Sequence, residues 1–293
     1  LRKRGLSATA ERSTRLGNSK PENPLEGHEP ESICPRMDDI VSGMRSLRLA
    51  GTLGWTDISL RYRGSVLGPF WMTISAAIMV ASMGVIYARL FHMNLRDYLP
   101  FLSLSMALWQ VGLSSLIQES CTCFIDAEAS IHAMKLPFSL QAFRLLVRNA
   151  IVFAHSIVVP IGVFLIYGLF PGLISLVSLP GLALWLIDGF AACLLLGALC
   201  ARFRDIAPII GAFMQIAFYV TPIIWKPTQL SPHQSRYLVL NPFYDLLEMV
   251  RGPILGTLPP LSAVLISVSL SIIWCVVAFL FFARTRERLA FWV

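Results

Sequence analysis

The sequence predicts an all-α membrane protein of six transmembrane helices, on three observations. Hydrophobic residues make up 56% of the 293 and charged residues only 14%, against roughly 25% in an average soluble domain. So few polar groups cannot cover a folded surface in water. Charged residues are absent from 64–88, 98–118, 149–187, 206–225 and 252–283, and crossing a bilayer takes about 20 apolar residues at 1.5 Å each. These runs are continuously apolar, whereas a membrane β-barrel alternates apolar and polar positions.

The stretch 149–187 is long enough for nearly two crossings and is broken by Pro171-Gly172, a turn signal. The predicted spans are therefore 69–90, 98–119, 146–169, 173–199, 206–225 and 261–282. With the N-terminus inside, 19 of the 24 Lys and Arg residues fall on inside segments. The positive-inside rule then places both termini in the cytoplasm. The net charge of +7 is this bias. It is not a nucleic-acid footprint, because no segment combines it with aromatics. The six cysteines show no C-x-x-C spacing, so free thiols are expected, with no metal and no disulfide.

Residues 1–36 are rich in Arg, Ser, Glu, Pro and Gly and read as a disordered leader. They contain no apolar signal-peptide core, and Met37 is a candidate start of the patterned chain. Residues 37–68 read as an amphipathic cytoplasmic interface segment. Ile40, Met44, Leu47, Trp55, Ile58 and Tyr62 fall on one face with Gly51 between them, suiting a helix lying in the interface or one packed on protein. Residues 69–293 form the six-helix domain. Its longest inside connection, 120–145, carries a short helix over 126–134 stopped by Pro137, either a docking element or a plain loop. In the outside segment 226–260, Asn241 caps, Pro242 suits the first helical position and Arg251-Gly252-Pro253 ends the run. That helix re-enters the outer edge of the membrane, where protein or water must satisfy its backbone.

Enzyme chemistry finds little footing. None of the four lysines follows a glycine, so the phosphate-binding loop G-x-x-x-x-G-K-[ST] is absent. Any ATPase belongs to a separate subunit, and no cofactor is expected on this chain. His155 and Asp188 fall inside the third and fourth spans, each sixteen residues from the Pro171-Gly172 turn. An antiparallel hairpin places them at similar depth, as an intramembrane polar pair serving either a proton relay or a structural hydrogen bond. Aromatics gather toward the outside, among them Tyr98, Trp109, Tyr219, Trp225, Phe243 and Tyr244. They suit an interfacial belt or a lining on which sugar rings stack.

Four segments carry a family resemblance. Ala201-Arg-Phe-Arg-Asp-Ile206 with Tyr219-Val-Thr-Pro-Ile-Ile-Trp225 resembles the signature of ABC-2-type permeases of polysaccharide and O-antigen export. Arg61–Trp71 resembles that family's approach to its first span, Ala127–Pro137 its coupling segment and Asn241–Arg251 its outer gate. The match covers about residues 38–290. The resemblance implies a homodimer, surrounded by membrane lipids and joined by two ATP-binding cassette subunits, that moves lipid-linked glycan from the cytoplasmic leaflet outward. It implies ATPase coupling through Asp126, Ala127, Glu128, Ser130, Ile131 and His132, and raises the sugar-lining reading of the outer aromatics. Arg61, Arg63, Arg202 and Arg204 lie at the expected cytoplasmic mouth. Arginine suits an anionic pyrophosphate, and equally suits membrane anchoring or pairing with acids such as Asp205.

Overall fold

The structure is a computed structural model that describes residues 34–65, 68, 70–133 and 136–293. The predicted leader lies outside the described residues as far as 33. From Cys34 the chain is helical, and the described residues contain helices, turns and no strand.

Two helices come first, α1 (Cys34–Arg45) and α2 (Leu47–Arg61). Next are α3 (Phe70–Leu90) and α4 (Leu95–Ala107), which runs through a π turn at Leu108–Ser114 into α5 (Ser115–Thr122). A short α6 (Glu128–Ala133) precedes α7 (Phe138–Ser156) and α8 (Val158–Tyr167). A 3₁₀ turn at Leu173–Val177 leads into α9 (Ser178–Arg202), followed by α10 (Ile206–Val220). The chain closes with α11 (Pro232–Ser235), α12 (Pro242–Ile254) and α13 (Leu261–Trp292).

Among the described residues, five continuous stretches are long and apolar enough to cross a membrane: Phe70–Leu90, Leu95–Thr122, Phe138–Tyr167, Leu173–Arg202 and Leu261–Trp292. The predicted span 206–225 is represented by the shorter apolar α10. It stops at Thr221, which turns extended before Pro222, as a residue preceding proline prefers. Pro160 has no N–H to offer Ser156 and marks the α7–α8 break. Gly168, at φ 66°, closes α8 in the left-handed region, ahead of the predicted Pro171-Gly172 turn.

The second and fourth stretches are the inner ones. Small residues let helices close around them. A methyl group added at Gly189 or Gly197 of α9 would run into Leu116 or Phe124. α9 and α13 lie side by side, with Ser271 Oγ and Trp274 Nε1 donating to Asp188. Phe282 and Leu289 join Ala198 and Ala201 in one core cluster. A second cluster, around Tyr98, Leu102, Trp109, Trp185, Leu247 and Val250, fills the end carrying α12.

The N-terminal pair packs on α7 through its small and polar residues. Ala50, Gly54 and Ile58 are the buried face of α2, and a methyl group at Gly54 would lie 3.0 Å from the Arg144 carbonyl oxygen. Asp39, 4% exposed, caps α7 by accepting from Phe138 N and Ser139 N at 3.2 and 3.0 Å. It also faces Arg286 of α13 at 3.4 Å. Met44, Leu47 and Trp55, which the periodicity places on the apolar face, are exposed. The segment therefore presents Ala50, Gly54 and Ile58 to protein and Met44, Leu47 and Trp55 outward.

Candidate functional site

Two groups of residues stand out, one at each end of the bundle. At the α6 end, Thr122 Oγ1 donates to Asp126 at 2.8 Å, and α6 begins two residues later. The six residues predicted to couple to an ATPase divide by burial. Asp126, Glu128 and His132 are exposed. Ala127 is 4% exposed, Ile131 packs on the core, and Ser130 accepts from Gln141 Nε2 at 3.1 Å. Those three hold the helix to the protein and leave Asp126, Glu128 and His132 exposed. A six-residue helix has too few internal hydrogen bonds to hold itself, so part of it must be spent on anchoring. Of the predicted helix over 126–134, Met134 lies outside the described residues.

Beside α6 lies a polar network. Arg144 of α7 grips the Asp57 carboxylate with Nε and Nη2 and donates from Nη1 to Gln141 at 3.3 Å. Arg148 pairs with Glu119 of α5 at 2.7 Å, and Asn149 donates to the same oxygen at 2.9 Å. Arg61 approaches Glu119 at 3.7 Å. Asp57, Cys123, Asp126, Ala127, Gln141, Arg144, Leu145 and Arg148 line a cavity of about 30 Å³, large enough for a water molecule. Of the four entrance arginines, Arg61 joins this network, and the Arg202 guanidinium stands 5.4 and 5.8 Å from the rings of Phe203 and Trp292. Arg63 and Arg204 are exposed, and no described acid, Asp205 included, pairs with them. Sequence reading passed over Asp57, Glu119 and the pair Arg144 and Arg148. The signal was there: two arginines four apart on one helical face at the start of an apolar run.

At the other end, α12 runs back along α9. Trp185 Nε1 donates to Leu246 O at 3.1 Å, and Met249 and Val250 pack on Gly181. Asn241 accepts from Phe243 N and Tyr244 N, the cap the sequence predicts, and donates to Thr221 Oγ1 at 3.0 Å. Arg251, 1% exposed, donates to Ser105 at 3.0 Å and Pro222 O at 2.6 Å, pairs with Glu248 and covers the Phe101 ring at 4.5 Å. Asp245 is fully buried with neither carboxylate oxygen hydrogen-bonded. Burial, then the nearby Glu248 carboxylate, push its pKa up to about 7. Burial also lowers the pKa of Lys226, which donates to Asp97 O at 2.8 Å.

The structure separates the six outer aromatics. Tyr98 is fully buried and donates to Ile224 O. Trp109 is 2% exposed, 5.5 Å from Phe243 and 6.3 Å from Phe218. Both are core residues, not a lining, because the apolar interior takes their large rings first. Tyr219 is 63% exposed on α10, with Phe213 and Ile216 also exposed on that helix. Trp225 Nε1 donates to Tyr219 O at 3.2 Å, and Trp225, Phe243 and Tyr244 are half-buried. Phe213 went unread because it lies mid-run, away from the loops.

His155 and Asp188 do not pair. Asp188 turns to α13, while His155 meets the Phe70 ring edge-on at 5.4 Å. Gly189 abuts Leu146, and Phe190 stacks by Phe143, so the residues level with Asp188 precede His155. The 3₁₀ turn at 173–177 and the α7–α8 break spoil the uniform 1.5 Å rise on which equal spacing relied.

Residues 48–255 match the ABC-2 type transporter family. The chain belongs to that family. As a permease of this kind it is a membrane transport subunit, and it resembles O-antigen export permeases. One is the O-antigen export system permease protein RfbA of Klebsiella pneumoniae, 24% identical over 65% of this chain and 74% of the relative. Another bears the same name in Myxococcus xanthus, 22% identical over 80% of this chain and 91% of the relative. The permease match covers α2 through α12 and so takes in both ends of the bundle.

Proposed function

We propose that this chain is the permease subunit of an ATP-driven exporter that moves lipid-linked, O-antigen-like polysaccharide from the cytoplasmic to the outer side of the bacterial inner membrane. The observation that carries this reading is the similarity to O-antigen permeases along most of the chain. Six crossings, with α10 as the fifth, put both termini and the α6 end in the cytoplasm. Asp126, Glu128 and His132 then face a cassette subunit that binds and hydrolyses ATP. α12 becomes the outer re-entrant gate, and two copies of the chain enclose the path.

The physical need is plain, since phosphates and hydroxyls cannot shed their hydration into hydrocarbon. Arg63 and Arg204, exposed and without an acid partner among the described residues, receive the anionic headgroup. The exposed face of α10 with Phe213 and Tyr219, joined by Trp225, Phe243 and Tyr244, gives the sugar rings an apolar surface that demands no single linkage. Reconstitution of the permease with its ATP-binding subunit tests the reading. ATP-dependent movement of lipid-linked glycan across proteoliposomes is expected, and Arg63→Ala with Arg204→Ala should slow it several-fold. ATP-driven movement of a drug or simple lipid, with none of glycan, would overturn the substrate assignment.

A further inference from the structure

A chain of polar contacts crosses three helices at the α6 end. Asp57 of α2 holds Arg144 of α7 through two hydrogen bonds. Arg144 Nη1 donates to Gln141 Oε1 at 3.3 Å, and Gln141 Nε2 donates to Ser130 Oγ of α6 at 3.1 Å. Ser130 Oγ in turn donates to Ala127 O at 2.8 Å. Gln141 is 2% exposed, although nothing about an apolar helix start calls for a buried amide there. Its carboxamide is hydrogen-bonded to both Arg144 and Ser130 of α6. Gly54 lets α2 approach α7 closely enough for the chain to close.

We propose that Asp57, Arg144, Gln141 and Ser130 form a relay that makes α2, α6 and α7 one mechanical body, so that a push on α6 moves the transmembrane bundle. The inference rests on the proposed function, in which a cassette subunit engages α6. The geometry favours a transmitting role. Without the relay, α6 would lose its side-chain hydrogen bond to α7, and the segment would yield more readily under load. The ion pair supplies directional, bidentate fixing, and the buried amide passes it on without a net charge to desolvate. These are positioning residues, because in this role they act through α6.

The test uses the permease co-purified with its ATP-binding subunit, reading ATP hydrolysis and glycan export on the same preparation. Ser130→Ala, Gln141→Leu and Asp57→Asn each break a different link. Each variant should keep the partner bound and hydrolysis near the unaltered level. Export per ATP should fall by about two- to thirtyfold, the range over which single changes modulate coupling, and Asp57→Glu should restore most of it. Ser130→Ala removes one half-buried hydroxyl only, so it reports even where a more buried change fails to fold. Unchanged export per ATP in all three would overturn the relay. So would a loss of partner binding that tracks the loss of export, which would make these residues a docking surface. Failure of the unaltered permease to co-purify with any ATP-binding subunit would instead sink the underlying reading.

Discussion

Arg251 illustrates how a charge survives inside this protein. Its guanidinium has a carboxylate, a hydroxyl, a carbonyl and an aromatic face around it, so little of its hydration is lost unreplaced. Removing it strands Glu248 half-buried. Arg251→Met should destabilise by about 3–5 kcal/mol, read as a lower unfolding temperature in detergent, and adding Glu248→Gln should recover part of the loss. Asp245 is the opposite case, buried with no hydrogen bond to its carboxylate. Its folded pKa of about 7 lies above the ordinary 3.8, so the native state binds its proton more tightly than the unfolded chain does. Stability should then fall as pH rises from about 4 to about 7 and stay low above that. Asp245→Asn should raise the unfolding temperature at pH 8 and change it little at pH 4. The sequence announced Arg251 only as part of a helix stop. Its burial depends on Ser105 and Pro222, far away in the chain, and no local pattern encodes that.

At the scale of elements, α12 against α9 depends on one small residue. A methyl group at Gly181 would meet Val250 at 3.1 Å and the Met249 carbonyl oxygen at 3.2 Å. Gly181→Leu should lever α12 away from α9, at about 1–3 kcal/mol, and break the bond from Trp185 to Leu246 O. Intrinsic Trp fluorescence and the unfolding temperature would report it. Long apolar runs and their caps were legible, because length and Asn241-Pro242 chemistry are local. Depth was not. The 3₁₀ turn at 173–177 and the break before Pro160 alter the rise per residue, and the His155–Asp188 pairing failed on that account. Burial of Tyr98 and Trp109 was also illegible, since an aromatic near a span end looks the same from sequence whether it faces lipid, sugar or core.

The whole molecule has two ends with different chemistry. One gathers Asp57, Glu119, Arg144, Arg148 and Asp39 around a short helix that shows exposed Asp126, Glu128 and His132. The other wraps a capped helix around a buried arginine and sets aromatics beside an apolar helix face. The transporter proposed above, driven from one side and open to a sugar polymer on the other, calls for such a division. The uneven spread of Lys and Arg was readable from the sequence, but the network itself was not, because its acids and bases come from three separate segments. The measurement that tests the account most directly is deletion of the gene, with surface polysaccharide and the inner-leaflet lipid-linked pool assayed together. The account predicts loss of one surface glycan with accumulation of its lipid-linked form inside. A normal surface glycan with no internal pool would contradict it.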